Sequence, residues 1–393
     1  MSENMSEKSR EQRLITSTHA DAALPFSAQD LDRVRQPLPQ SWTLPPTAYT
    51  NPDVFALEKK TLFANQWICV ARVEQLPEAG DYLCVDVFDQ PLVVVRGADQ
   101  QLRALSRVCL HRAMPIAQGK GHATRFVCPY HHWTYELDGR LRSAPMMEGV
   151  EGFEATKCRL PELPLETWAG FVFVNLDTDA APLAPTLAGL LPFIENHEFE
   201  NLVVAETIEF DSPWNWKILV ENFMEAYHHI GPHKHTFEPV YPARDSHVPD
   251  NGGAPWSVLR MPANQDVAGD DPTVLPKLSA DQRRELLAIC VYPTLLFAAT
   301  ASGGAWYQLQ PTAHDQMLLK IHALVPSQAA EHLSDEQRQG LAGLLSHIHE
   351  EDIVVNQGPW AGLQAPLTEQ GRLSLYEKSI WQLNQLWLQG LGL

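Results

Sequence analysis

Two short loops constrain the chain more tightly than any other part of it. They read Val108-Cys109-Leu110-His111-Arg112 and Val127-Cys128-Pro129-Tyr130-His131-His132-Trp133, with sixteen residues between His111 and Cys128. Each loop offers one thiolate and one imidazole, so a fold that joins the loops builds a four-ligand metal site. That set suits a two-iron cluster in which one iron takes both sulfurs and the other both imidazoles. A single zinc accepts the same four ligands. Zinc fingers, however, keep their Cys pair together and their His pair together. Here the two types alternate, which favours the cluster.

The surroundings of these loops read as β structure. Gln66 to Ala71, Asp81 to Val87 and Pro91 to Arg96 are strand patterns punctuated by Gly80, Asp89-Gln90 and Gly97. Trp133 to Leu141 is an alternating hairpin around an Asp-Gly turn, and Gly170 to Asp177 closes the unit. Together with Trp133 to Leu141, the two loops resemble the Rieske [2Fe–2S] motif. The resemblance implies that Cys109 and Cys128 bind one iron, and His111 and His131 the other. Two positions depart from the family: Ala113 stands where Gly is common, and His132 where a small residue is usual. We read His132 as a surface or interface residue.

A second concentration of chemistry lies between Asn215 and His235. Trp216, Leu219, Val220, Phe223, Ala226, Tyr227 and Ile230 recur at helical spacing, with Lys217, Glu221, Glu225 and His228 or His229 on a narrow polar stripe. Asp211-Ser212-Pro213 is the expected start signal. Four histidines, His228, His229, His233 and His235, fall within eight residues. On an unbroken helix His229 and His233 would pair, but Gly231-Pro232 disfavours an unbroken helix. Spacing alone therefore leaves the pair open. Downstream, Ser334 to Gln337 is a capping box opening a second long helix. On it Leu341, Leu345, Ile348 and Val355 share a face with Asp352, a carboxylate that is expensive there without a cation.

The segment Asn215-Trp216-Lys217, Glu221-Asn222-Phe223 and Glu225-x2-His228-x4-His233 resembles the iron motif of Rieske-type aromatic-ring-hydroxylating oxygenase alpha subunits. So does Gly371 to Ser374. By that resemblance the iron ligands map onto His228, His233 and Asp352. Glu225 maps onto a carboxylate, usually Asp, that bridges the iron-ligand His of one subunit to a cluster-ligand His of the next, here His228 to His131. A Glu at this place is similar to oxygenases that act on carnitine-like quaternary amines. The implied fold is α+β: a small all-β Rieske domain, and a catalytic domain whose antiparallel sheet packs against long helices in a helix-grip arrangement. Residues 1–45 are expected to be a flexible leader and Pro-rich arm, 46–178 the Rieske domain and 179–393 the catalytic domain. Strand patterns at Asn201 to Phe210, Ile289 to Ala298, Ala305 to Leu309 and Met317 to Val325 supply that sheet, and Leu375 to Leu388 a final core helix.

The implied function is hydroxylation or oxidative demethylation of a small organic substrate at a mononuclear Fe(II), with O2 as co-substrate. Electrons come from NAD(P)H through a reductase or ferredoxin and pass by way of the [2Fe–2S] cluster. A homotrimer is implied. Two rivals are a Rieske electron carrier whose second domain only binds a partner, and a zinc protein. The net charge of −19 leaves no basic excess for nucleic acid or an anionic membrane. Six sparse cysteines, a polar start without an apolar core segment, and no apolar run long enough to span a bilayer give the expectation of a cytoplasmic protein. Trp256, Phe297, Trp306, Tyr307 and Trp360 are either core or an aromatic cage.

Overall fold

A computed structural model describes residues 24–393, except Asp270. The leader expected before residue 24 lies outside the described residues. The Pro-rich arm contains a helix, α1 (Ala28–Arg35), opened by a reciprocal cap between Ser27 and Asp30. The arm runs back along the C-terminal segment, with Trp42 bridged to Arg372 and Gln385 Nε2 donating to Val34 O. A short helix follows, α2 (Pro52–Leu57), whose last turn loosens over Glu58–Phe63.

Eleven strands build the first β unit. A five-stranded sheet runs β5-β2-β3-β4-β9, from Lys120–His122, Asp81–Val87, Gln90–Arg96, Leu102–Ser106 and Glu162–Leu163. A three-stranded sheet joins β1 (Ile68–Arg72), β11 (Phe171–Val174) and β10 (Leu165–Trp168). A small sheet of β6 (Phe126–Val127), β7 (Thr134–Tyr135) and β8 (Leu141–Ser143) carries the second Cys/His loop. Every residue of β1 and β11 is buried, which explains why these strands read as continuous apolar runs rather than alternating ones.

The second unit is a six-stranded antiparallel sheet in the order β12-β17-β16-β15-β14-β13. Its strands are β12 (Leu202–Ser212), β13 (Trp256–Pro262), β14 (Glu285–Val291), β15 (Leu295–Thr300), β16 (Gly303–Ala313) and β17 (Gln316–Pro326). The apolar run expected as one strand over 289–298 is two, because the chain turns at Tyr292-Pro293 and pairs Val291 with Leu295. Its longer helices are α3 (Trp216–Phe223), α4 (Asp335–Leu363) and α5 (Lys378–Leu391). One apolar cluster runs from Val70, Val94 and Val172 through Leu319 and Ile321 to Leu219 and Trp387, so the two β units share a core. The architecture is the α+β arrangement expected, with an all-β domain beside a sheet backed by helices.

A buried ion pair fastens the N-terminal segment to α3. Glu58 is fully buried, takes Lys217 Nζ at 2.6 Å, and accepts from the indole N–H groups of Trp216 at 3.0 Å and Trp387 at 2.6 Å. Tyr49 OH donates to Glu221 Oε1 at 2.5 Å one helical turn further on. The polar stripe of α3 is thus buried and partnered rather than solvated. It orients the helix that leads into the histidines.

Candidate metal centres

The two Cys/His loops repeat one local design. Ala113 N donates to Cys109 O at 3.0 Å, and His132 N donates to Cys128 O at 3.0 Å. Closing the chain so tightly requires left-handed backbone, with φ at 53° for Ala113 and 58° for His132. These are the two positions where the sequence carries a Cβ in place of the expected glycine or small residue. Beneath them Trp133, Tyr135 and Leu160 form a separate apolar cluster with both cysteines. Tyr135 OH lies 3.2 Å from Cys109 Sγ and accepts from Leu110 N–H at 3.0 Å. The sulfurs are buried while His111 and His131 sit toward the surface, their Nδ1 atoms 3.1 Å apart. Two ring nitrogens at that separation face one position, as two imidazoles on a single iron do. Desolvation, then the charges of His111 and Arg112, hold the pKa of His131 below its ordinary value. The donor set therefore fits a [2Fe–2S] cluster of the Rieske type.

The second site assembles where α3 ends. Asn215 caps that helix by accepting from Lys217 N–H at 3.1 Å, four residues after the expected start signal opens at Asp211. The helix stops at Phe223, well before the Gly231-Pro232 break expected from sequence. Beyond that end Glu225 Oε2 accepts from His228 N–H at 2.9 Å, in place of the carbonyl that a continued helix would offer. A 3-10 turn, Tyr227–Ile230, then presents His228, and the following turn presents His233.

His228, His233 and Asp352 come together, each offering one ligand atom, all within 4.8 Å of one another. His233 Nε2 is 2.9 Å and His228 Nε2 3.7 Å from Asp352 Oδ1. The opposite nitrogens are anchored: His228 Nδ1 to Glu225 Oε1 at 2.5 Å, and His233 Nδ1 to Glu351 Oε2 at 2.7 Å. A carboxylate only accepts, so each Nδ1 carries a proton, and each Nε2 would be free to give its lone pair to a cation at the shared position. Asn222 Nδ2 donates to Asp352 Oδ1 at 3.0 Å, and Thr236 Oγ1 to Glu351 Oε2 at 2.8 Å. Burial raises the Asp352 carboxyl, but His233, His228 and Asn222 outweigh it and hold the pKa below the usual value. Burial lowers His233, but Asp352 and Glu351 outweigh that and raise it. Such a site lacks positive charge. Two imidazoles and one carboxylate suit a divalent iron with open positions.

Helical spacing puts Glu351 at the edge of the face that carries Asp352, and its tie to His233 comes from the loop geometry, which spacing does not show. His229 is buried but spends Nδ1 on Tyr241 O at 3.1 Å, and His235 is exposed. The aromatic set does not converge: Trp256, Phe297 and Trp306 belong to one buried cluster and Tyr307 to another. The buried face of α4 also differs from the apolar one expected. Its buried side chains are His349, Asp352 and Asn356, while Leu341, Leu345, Ile348 and Val355 are only partly covered.

Residues 66–154 match the family described as Rieske [2Fe-2S] domain, and 199–392 the ring hydroxylating alpha subunit (catalytic domain). The carnitine monooxygenase oxygenase subunit of Escherichia coli is 39% identical over 196 residues, 49% of this chain and 52% of that protein. The glycine betaine monooxygenase oxygenase subunit of Chromohalobacter salexigens is 37% identical over 213 residues, 54% of this chain and 47% of that one. The alignments thus span about half the length of the curated relatives. A crystal structure of a quaternary ammonium Rieske monooxygenase with L-carnitine superposes with a TM-score of 0.77 at 26% identity, over 89% of this chain and 96% of the other. Naphthalene 1,2-dioxygenase from Rhodococcus sp. shares the fold, with a TM-score of 0.76 at 19% identity over 93% and 98% of the two chains. With a Cys2His2 loop pair in one domain, a His2Asp group in the next and both family matches in that order, the chain belongs to the Rieske-type ring-hydroxylating oxygenase alpha subunits.

Proposed function

We propose that this chain is the oxygenase component of a Rieske non-heme iron system that oxidises a small organic substrate. The observation that carries the reading is the paired anchoring of His228 and His233, whose Nδ1 atoms meet Glu225 and Glu351 while their Nε2 atoms meet Asp352. Cys109, His111, Cys128 and His131 would hold the cluster, and His228, His233 and Asp352 the iron. When bound, these metals supply one-electron storage and O2 activation, chemistry that no side chain here provides. The protein orients the imidazoles, keeps their Nδ1 protons in place and shields the site from bulk water.

Relatives named for carnitine and glycine betaine make those two molecules the first substrates to test, with hydroxylation or oxidative demethylation as the outcome. Electrons would come from NAD(P)H through a reductase or ferredoxin. A homotrimer is supported by apolar groups exposed near both sites: Leu110, Val127 and Tyr130 beside the Cys/His loops, and Tyr227, Ile230 and Tyr376 beside the His/Asp group. In that assembly Glu225 would join His228 to His131 of a second copy. All six cysteines are free, which suits a cytoplasmic setting, and no described helix is long and apolar enough to cross a membrane. The test is substrate-dependent oxygen consumption with a reductase. Asp352→Ala should abolish it and leave the visible absorption of the cluster intact; full turnover in that variant would remove Asp352 from the site.

A further inference from the structure

The two β units enclose a cavity of about 490 Å³ between them, and no metal-ligand residue lines it. Its floor is one face of the six-stranded sheet. Thr207 and Glu209 of β12, Gln308 and Gln310 of β16, and Leu318 and Lys320 of β17 all line it. They alternate along their strands, so their side chains share that face. The intervening Phe210 and Tyr307 face the other way, against His349 of α4 and Phe223 of α3. The sheet therefore stands between the cavity and the His/Asp group. The opposite wall is apolar, with Ile68 and Val70 of β1 and Leu83, Val85 and Val87 of β2. A space of this volume at a junction between units is where small molecules bind.

Most of the polar lining is already matched. Gln308 Nε2 donates to Val70 O at 3.0 Å and Gln310 Nε2 to Asp86 O at 3.2 Å, so two amides tie the floor to the wall. Gln308 Oε1 lies 3.1 Å from His322 Nε2, and Thr207 Oγ1 lies 2.8 Å from His322 Nδ1. Lys320 pairs with Glu209 at 2.7 Å, and Asp86 with Arg107 at 2.6 Å. Burial lowers the pKa of His322 to about 4, so that ring adds no charge. Two lining groups are left over. Thr294, between β14 and β15, is 2% exposed, and its hydroxyl has no partner among the described residues. A buried hydroxyl forfeits its water without replacement, so the protein leaves this part of the cavity unfinished. Lys120, on β5 opposite Leu83, is exposed and has no carboxylate partner among the described residues. The lining thus holds one unanswered positive charge at its exposed side and an apolar wall within.

We propose that this cavity is a second ligand site, for a small monocarboxylate with an apolar body. The carboxylate meets Lys120, and the body lies along the apolar wall of β1 and β2. The site is separate from the iron group and does not depend on which substrate the iron group takes. Its occupant touches the unit that carries the Cys/His loops and the sheet that backs the His/Asp group, so it binds only where the two units are docked.

The experiment uses the full chain with cluster and iron in place. Calorimetric titration compares hexanoate with hexylamine, which carries a similar apolar body and the opposite charge. Hexanoate should bind the more tightly. Lys120→Met should weaken hexanoate about threefold, the scale of one exposed ion pair, and should not weaken hexylamine. Leu318→Trp, which fills the floor, should abolish hexanoate binding. Asp352→Ala should leave it unchanged. Melting temperatures at the wild-type value show that the variants fold, and Lys120→Met, an exposed change, carries the test if the tryptophan variant does not. The proposal is overturned by a wild type that gives no heat of binding at millimolar hexanoate or binds hexylamine as tightly. A hexanoate affinity that either folded cavity variant leaves unmoved overturns it too. So does a loss in Asp352→Ala, which would put the carboxylate at the iron group instead.

Discussion

At the scale of residues, the second carboxylate on each metal-facing histidine does more than fill space. Glu351 fixes both the tautomer and the ring plane of His233, with Thr236 holding its other contact. Removing such an outer partner from a ligating His costs about 10- to 100-fold in metal affinity. Glu351→Ala should therefore weaken iron binding by that amount, measured by ferrous titration, while the cluster absorption stays constant. Glu351→Gln should recover part of it, since an amide oxygen still accepts from Nδ1. The loop positions make a prediction of opposite sign. His132 sits at φ 58° with a side chain that gains nothing from that backbone. A left-handed residue costs about 1–2 kcal/mol, partly offset by the extra chain entropy of a glycine. His132→Gly should raise stability by about 1 kcal/mol in urea titration and leave the visible spectrum unchanged. That the two Cys/His loops would come together was legible, because Cys-x-His and Cys-x2-His declare their chemistry in the types and spacings. Glu351 was not, because a hydrogen bond between a turn and a distant helix leaves no periodic trace.

The elements show where periodicity helps and where side chains override it. Helix α3 was visible from its apolar spacing, and its polar stripe turned out to be buried. Lys217 has burial lowering its pKa, countered by Glu58 at 2.6 Å. Taking away one partner of a buried pair leaves an uncompensated charge, at about 3–5 kcal/mol. Glu58→Ala should destabilise the protein by that amount in chemical denaturation, more than Glu58→Gln, whose single amide oxygen can keep one of the two indole contacts. Glu221 adds a pH dependence. Burial pushes its pKa from 4.5 up to about 7, against the lowering effects of Tyr49 and Lys217. Between these values the folded chain keeps a proton that the unfolded chain releases, so stability falls as pH rises across that window. The loss is up to about 3 kcal/mol, and Glu221→Gln should flatten it. Helix α3 ends at Phe223, ahead of the Gly231-Pro232 break, and beyond it the Glu225 side chain takes the His228 N–H that a continued helix would bond to a carbonyl. On α4 the apolar residues that share the face of Asp352 are only partly covered, and the buried positions go to His349, Asp352 and Asn356, which apolar periodicity does not single out.

For the whole molecule, two β units with one continuous apolar cluster across them are not free modules. The order of the two motif-bearing segments, the all-β character of the first and the mixed character of the second could all be read from the chain. The shared core could not, since alternating strand patterns do not say which sheet faces which. The functional account needs both metal sites in the same folded chain, which makes metal content its most direct test. The protein purified under anaerobic conditions with iron and sulfide should contain about three irons per chain and absorb visible light. Asp352→Ala should retain that absorption and fall to about two. A colourless preparation holding zinc at the Cys/His loops, or an Asp352→Ala protein that still binds the third iron as tightly, would contradict it.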